Sequence, residues 1–197
     1  MITLKEFIKQ YDKDDSVVLL EGKRNVLDED REKLTNLGIL LATNTKKILF
    51  RSGNAGGADF YFSLGVAAVD NAKLQAVIPY TGHREKTNHA YHTVSLDNID
   101  LAAEADVVRL SKLNRKTSRL VERYVSGERD RFTMKAAYII RDTIKVTGAR
   151  DIKPAAFAIF YDDLAEPMTG GTGHTMNVCL QNGIPVIDQR TWFKWLE

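Results

Sequence analysis

The sequence lacks the features that mark several classes of protein. It contains one cysteine, Cys179, in 197 residues, which excludes an intrachain disulfide and a cysteine-rich zinc site. No apolar run approaches the roughly 20 residues that a membrane-spanning helix needs. Residues 1–15 alternate charged and apolar side chains and lack the apolar segment of a secretory signal. These absences favour a reducing, cytoplasmic setting without membrane association.

An excess of charge of one sign is also missing. The 28 Lys and Arg residues are balanced by 26 Asp and Glu residues, which leaves a net charge of +2. Proteins that bind duplex nucleic acid usually carry a strong basic field. Nucleic acid is therefore not the expected partner, and the basic stretch 112–150 is interpreted as solvated helix surface.

Metal-binding signatures are absent as well. Three of the four histidines, His83, His89 and His92, lie in one short stretch, but no motif such as HExxH frames them. We expect neither a metal nor another cofactor. The stretch 83–92 is instead interpreted as a mobile loop that borders a ligand cleft.

The sequence does contain a regular alternation of apolar runs and segments with helical periodicity. The runs at 17–20, 48–50, 74–78, 106–111, 155–161 and 184–187 predict buried strands. Helices are predicted at 3–12, 28–41, 58–69, 97–105, 114–126, 132–146, 175–181 and at the C-terminus. This order predicts a single α/β domain over residues 1–197, Rossmann-like, with a mainly parallel sheet and helices on both faces.

A glycine-rich turn follows the second predicted strand. Ile48-Leu49-Phe50 ends that strand, Ser52-Gly53-Asn54-Ala55-Gly56-Gly57 forms the turn, and a helix begins near Ala58. Glycines let a ligand approach the backbone, and the first N–H groups of a helix point towards an anion. The turn therefore predicts a phosphate or carboxylate site, although a tight turn without a ligand is the alternative.

A second glycine-rich turn strengthens the prediction of an anion site. Thr169-Gly170-Gly171-Thr172-Gly173-His174-Thr175 also lies between a predicted strand and a helix, and Gly22-Lys23-Arg24 forms a weaker third turn. In parallel sheets, ligands bind beyond the carboxyl ends of the strands where the strand order reverses. We expect the turns to converge there and to present two helix N-termini to one shared anion.

These residues resemble the motifs of the SLOG superfamily. The stretch 52–59 is similar to its SGGARGAD turn, Gly22-Lys23-Arg24 to its first-strand glycine motif, and 170–175 to its GGTxxT turn. Arg141-Asp142 resembles its Arg-Asn pair, with Asp in place of Asn. The resemblance covers residues 17–188. It implies a Rossmann-like fold that binds a nucleotide or a nucleotide-derived small molecule, as in a group that contains LOG-type phosphoribohydrolases, DprA-like DNA-processing proteins and small bacterial and phage proteins.

One departure from that pattern concerns catalysis. LOG-type enzymes carry PGGxGTxxE, whose glutamate cleaves the bond between base and ribose. Here Asn177 stands at the position of the glutamate and Thr169 replaces the proline. An amide cannot stabilise an oxocarbenium-like cation or act as a base. Another acid would have to substitute, with Asp162 as the candidate and Asp163, Asp59 and Glu21 as alternatives.

The expected function is binding of a nucleotide-like small molecule by a sensor or sequestering module. The alternatives are an N-glycosidic hydrolase or transferase acting on a nucleoside phosphate, and a DprA-like binder of single-stranded DNA. A homodimer through the aromatic C-terminal segment is a further expectation. The candidate catalytic residue is Asp162. The expected ligand-binding residues are Gly22, Lys23, Arg24, Ser52, Gly53, Asn54, Ala55, Gly56, Gly57, Asp59, Arg141, Gly170, Gly171, Thr172, Gly173, His174, Thr175 and Asn177.

Overall fold

The computed structural model describes residues 2–197 and contains one six-stranded sheet. Its strands are β1 (Val17–Gly22), β2 (Leu49–Ser52), β3 (Leu74–Ile78), β4 (His92–Ser95), β5 (Phe157–Tyr161) and β6 (Val186–Ile187). They are arranged in the order β4-β3-β2-β1-β5-β6, and every neighbouring pair is parallel. The predicted α/β Rossmann-like fold is confirmed, with a sheet that is wholly parallel.

Helices cover both faces of this sheet. They are α1 (Leu4–Tyr11), α2 (Asp28–Asn44), α3 (Ala58–Asp70), α4 (Ala105–Ser111), α5 (Arg115–Val125), α6 (Met134–Thr147), α7 (Gly170–Gln181) and α8 (Gln189–Trp192). The two faces of the sheet have separate hydrophobic cores, and alternate residues of β1 contribute to each. On one face Val18 and Leu20 pack with α1, α2, α3 and α8. Leu19 packs with α4 and α7 on the other face.

Three segments differ from the sequence-based prediction. Residues 106–111, predicted as a strand, lie in helix α4, because Val107 and Leu110 are buried at the three-residue spacing of a helix. Strand β4 was not predicted. It is a short polar strand at the sheet edge that pairs Val94 with Val77 of β3, and it carries no apolar run to reveal it. The segment 97–105, predicted as a helix, contains the end of a short 3-10 segment, Leu96–Asn98, followed by turns up to the start of α4 at Ala105.

The chain order places a switch point beside β1. From β1 the chain adds β2, β3 and β4 in one direction, and it then returns to place β5 on the other side of β1. Ligands of such sheets bind at the carboxyl ends of the strands where the order reverses. Here that position lies between the ends of β1 and β5.

The C-terminal aromatic residues belong to the core of this same chain. Trp192 is fully buried, and its indole N–H donates to the carbonyl of Phe160 at 2.8 Å. Trp195 packs in the same cluster. The homodimer therefore stays a prediction. Between residues 2 and 197, no helix has both the length and the apolar character that crossing a bilayer requires.

Helices α2 and α3 approach each other so closely that their backbones touch. A Cβ atom added at Gly65 would lie 2.0 Å from the carbonyl oxygen of Thr35, and one at Gly38 would lie 2.5 Å from that of Phe62. Glycine at these two positions allows α3 to pack tightly on α2. This packing sets where α3 begins, and therefore where the first glycine turn lies.

We predict that Gly65→Ala destabilises the protein by about 1–3 kcal/mol, because overpacking outweighs the roughly 1 kcal/mol by which alanine is the better helix former. Urea denaturation measures this change. Val69→Ala, at an exposed position of the same helix, serves as the control and should change stability by less than about 0.5 kcal/mol. Equal stability of wild type and Gly65→Ala would show that the helices separate without cost.

Candidate functional site

A cleft of about 1130 Å³ opens at the switch point between β1 and β5. The structure brings many of the predicted residues to its walls. These are Gly22, Lys23, Arg24, Ala55, Asp59, Arg141, Asp162, Gly170, Gly171, Thr172, His174 and Thr175. The predicted residues that do not line it are Ser52, Gly53, Asn54, Gly56, Gly57, Gly173 and Asn177. Asn177 lies on the exposed face of α7.

The first glycine turn is organised around the carboxylate of Asp59. This buried carboxylate accepts hydrogen bonds from the backbone N–H groups of Gly53 at 3.1 Å and Ala55 at 3.3 Å. It also accepts one from the N–H of Gly22 at the end of β1, at 3.2 Å. The amides that were expected to hold an external anion are therefore occupied by a side chain of the protein itself.

The remaining part of that turn faces a different depression. Gly56 and Gly57 line a recess of about 260 Å³, separate from the cleft, and Arg24 lines both cavities. The two glycine turns therefore lie at the same edge of the sheet. They do not enclose one shared anion, which is the arrangement that the sequence predicted. The physical reason is that the Asp59 carboxylate already accepts the hydrogen bonds of the backbone N–H groups of Gly22, Gly53 and Ala55.

The second glycine turn forms the first turn of α7, because the helix begins at Gly170 rather than after the glycines. The preceding residue, Thr169, makes no side-chain hydrogen bond to this turn. The Thr169 hydroxyl instead accepts from Lys23 Nζ at 2.5 Å, and the Thr169 carbonyl accepts from the same Nζ at 3.0 Å. The start of α7 thus keeps the unsatisfied N–H donors of a helix N-terminus, beside a lysine ammonium group.

A network of buried charges forms the floor of the cleft. Lys145 Nζ contacts the carboxylate of Glu21 and lies 2.7 Å from Asp142 Oδ1. Arg141 Nε is 3.1 Å from the same Oδ1, and Arg141 Nη1 donates to the carbonyl of Gly53. The network ties α6 to β1 and to the first glycine turn. Because opposite charges alternate, the floor itself attracts neither anions nor cations strongly.

The two carboxylates of this network, Glu21 and Asp142, have pKa values shifted in opposite directions. Burial raises the pKa of Glu21 to about 7, because desolvation outweighs the attraction of Lys145 and because Asp59 and Asp142 add repulsion. Burial also opposes the ionisation of Asp142, but Arg141 and Lys145 hold its pKa below the usual value. Glu21 is therefore the network carboxylate that changes charge near neutral pH.

Asp162 presents a free carboxylate oxygen at the end of β5. Its Oδ2 accepts from the N–H of Met168 at 2.8 Å, and its backbone exchanges two hydrogen bonds with the side chain of Gln189. In the part of the chain that the structure describes, its Oδ1 has no hydrogen-bond partner and its nearest cation is Lys23 Nζ, at 3.6 Å. A rigidly held, buried acceptor of this kind can receive a hydroxyl group of a ligand or stabilise a positive charge.

Sequence reasoning missed many of the residues that line the cleft, and the polar ones among them include Lys135, Tyr138, Lys145 and Gln189. A signal for three of these four was available. On α6 the residues that line the cleft are 135, 138, 139, 141, 142 and 145, and their repeat every three or four positions is the spacing of one helix face. Gln189 carries no such signal, because its role depends on the return of the chain to β5.

Comparisons with known proteins support the fold. No family model matches the chain, and no curated protein matches it. A solved structure of DNA processing protein A from Helicobacter pylori, described with its single-stranded DNA binding mode, matches with a TM-score of 0.52 and 13% sequence identity. The match covers 88% of this chain and 64% of that one, so this chain spans less than two thirds of that structure. The likeness shows a shared Rossmann-like fold.

We predict that Glu21 lowers the stability of the folded state as the pH rises from 5 to 8. In the unfolded protein this carboxyl has its ordinary pKa of 4.5, whereas in the folded protein its pKa is about 7, so the folded state binds more protons between these values. The unfolding free energy of wild type minus that of Glu21→Gln should therefore decrease across this range. Chemical denaturation at several pH values measures it.

The control for this prediction is Glu29→Gln, at an exposed position outside the network. The difference between wild type and this control should stay constant over the same pH range. A constant difference for Glu21→Gln as well would mean that Glu21 ionises in the folded protein as readily as in the unfolded chain.

Proposed function

We propose that the cleft binds a nucleotide or a nucleotide-derived small molecule, as a sensor or sequestering module. The observation that carries the proposal is the open N-terminus of α7 beside Lys23, inside a cleft large enough for a nucleotide. A second feature supports it. Arg141 also lines the cleft, and its buried Nε, 3.1 Å from Asp142 Oδ1 in an ion pair, makes no hydrogen bond among the residues that the structure describes.

The walls of the cleft suit the base of such a ligand. Leu27 and Leu164 line it although 60% and 49% of their surfaces are exposed, and Tyr138, Ile139 and Phe193 add apolar surface. Ligand pockets are lined mainly by apolar side chains with a few placed polar groups, and this cleft has such a lining. In this arrangement the phosphate binds at α7, the base packs against the apolar wall, and Asp162 Oδ1 accepts a ribose hydroxyl.

We predict that Gly171→Val removes nucleotide binding and leaves the apo protein folded. A Cβ atom at this position would lie 3.4 Å from Asp142 Oδ2, which is ordinary contact, so the valine methyl groups would occupy the phosphate position without disturbing the core. For wild type, a nucleotide at 100 times its Kd should add about 2.7 kcal/mol of stability and raise the Tm by roughly 5–10 °C. Thermal melting with a panel of nucleoside phosphates tests this.

The matched control is Gln181→Val, at the exposed other end of the same helix. It introduces the same β-branched residue but should keep the full ligand-induced shift. An unchanged shift in Gly171→Val would place the ligand elsewhere, and no shift in wild type with any nucleotide would contradict the proposed function.

N-glycosidic cleavage of a nucleoside phosphate is the second candidate, favoured by the unpartnered Oδ1 of Asp162. In this reaction water adds to the ribosyl carbon as its bond to the base breaks, and a carboxylate stabilises the positive charge that develops. We predict that Asp162→Asn reduces release of free base at least about 100-fold, because an amide cannot stabilise that charge. Chromatography of the released base measures this.

The same variant separates cleavage from binding. Asp162→Asn retains an oxygen that can accept from Met168, so the fold should remain. The nucleotide-induced melting shift should be reduced but still measurable, because the phosphate at α7 and the base at the apolar wall keep their contacts. If wild type releases no base from any nucleotide that stabilises it, the cleavage candidate is excluded and binding alone remains.

Binding of single-stranded DNA is the third candidate, because the matching Helicobacter pylori structure is described as binding it. The balanced net charge of this chain opposes that candidate, whereas a local group of arginines beside the cleft favours it. An affinity for oligonucleotides that falls steeply with salt concentration would support it.

A further inference from the structure

The recess next to the cleft has a strongly one-sided charge. It is formed by nine residues, Arg24, Val26, Arg31, Gly56, Gly57, Phe60, Tyr61, Arg84 and Thr87. Three arginines and no acidic residue therefore line a space of about 260 Å³. The neighbouring cleft, by contrast, has carboxylates and basic side chains in similar numbers. A recess with this lining is suited to a compact anion such as a phosphoryl group.

The position of Arg84 in this recess is enforced by the backbone. Arg84 adopts a left-handed conformation with φ of 49°, and so does Asn54, with φ of 51°. The side-chain amide of Asn54 donates to the carbonyl of His83 at 3.1 Å, which ties the loop to the first glycine turn. A Cβ atom at Gly56 would lie only 2.8 Å from Arg84 Nη1, so the guanidinium group lies against bare backbone. Left-handed residues other than glycine are costly and cluster at functional sites.

The three guanidinium groups are poorly neutralised by the protein. Within residues 2–197, neither Arg24 nor Arg84 forms an ion pair, and Arg31 pairs with Asp28, whose side chain is 87% exposed. Two of these arginines, Arg84 and Arg24, also act on a neighbouring histidine. Burial and the positive charges of Arg141, Arg84 and Arg24 lower the pKa of His83 to about 4, so this histidine is neutral at pH 7 and adds no further repulsion.

The two anion-attracting positions are too far apart for one phosphate group. The recess lies at the start of α3, which follows β2, and the other position lies at the start of α7, which follows β5. Strand β1 separates β2 from β5, so the two strand ends are about 10 Å apart. Because Arg24 lines both cavities, one ligand can extend from the first position to the second.

We propose that the recess is a second phosphate subsite for the ligand of the cleft, so that the preferred ligand carries two phosphate groups separated by a nucleoside. This inference rests on the proposed nucleotide binding and specifies the chemical class of the ligand. A free nucleoside bisphosphate and two successive phosphates of a single-stranded nucleic acid share this chemistry.

Isothermal titration calorimetry with four probes tests the proposal. These are AMP, ADP, adenosine 3′,5′-bisphosphate and a short single-stranded oligonucleotide. ADP has the same number of phosphate groups as the bisphosphate but carries them at one end. We expect the bisphosphate, the oligonucleotide or both to bind at least about tenfold more tightly than AMP and ADP, because a phosphate on arginine forms charge-assisted hydrogen bonds.

Variants of the recess arginines test whether this gain in affinity arises in the recess. Arg84→Gln and Arg31→Gln should each remove most of it and leave AMP affinity within about twofold of wild type, because neither residue lines the cleft. Lys86→Gln is the matched control. It removes the same charge two residues from Arg84, at an exposed position outside the recess, and should leave every affinity unchanged.

Each outcome has a defined meaning. Loss of bisphosphate affinity in Arg84→Gln supports a small-molecule ligand, and loss of oligonucleotide affinity alone supports a single-stranded nucleic acid. If AMP binds wild type and neither larger probe gains from the arginines, the second subsite is excluded while the proposed function stands. If no probe binds wild type, the proposed function and this inference both fail.

Discussion

The Asp59 carboxylate holds the site together. It accepts backbone hydrogen bonds from the end of β1 and from two positions of the turn after β2, and it does so from the first turn of α3. A carboxylate at the N-terminus of a helix is stabilised both by the amides and by the helix dipole. This one side chain therefore fixes where two neighbouring strands end. It also occupies the N–H groups of Gly53 and Ala55 in the first glycine turn, so that these groups do not bind an external anion at the centre of the site.

Once Asp59 occupies that centre, the surface divides into regions of different chemistry. The cleft floor has alternating charges, with Lys145 between Glu21 and Asp142, and buried pairs of this kind impose geometry more than they attract ligands. Net attraction for anions is left at the start of α7 and in the arginine recess. A ligand with separated negative charges matches this division better than one with a single compact charge.

The sequence predicted the fold well because the fold depends on strong local patterns. Apolar runs marked β1, β2, β3, β5 and β6, and glycine turns followed β1, β2 and β5, whereas the polar edge strand β4 carries no such run. The site was predicted less completely because its geometry depends on tertiary contacts. Nothing in the local sequence shows that Asp59 bonds to Gly22, 37 residues away, or that Lys145 pairs with Glu21. The spacing along α6 was the overlooked signal.

The positions of Asn177 and Asp162 determine which of them can contact a ligand in the cleft. Asn177 stands where the resembled enzymes carry their glutamate, and it lies on the exposed face of α7, outside the cleft. Restoring a carboxylate there would not bring it to a ligand in the cleft. Asp162 lies in the cleft at a strand end, fixed by Gln189 and Met168. Rigid strand ends position a reacting group more accurately than loops do. Of the other candidate carboxylates in the cleft, Asp59 accepts backbone hydrogen bonds and Glu21 pairs with Lys145. The proposed cleavage would therefore use the carboxylate at the end of β5, and a chain that only binds its ligand would use the same oxygen as an acceptor for a hydroxyl group.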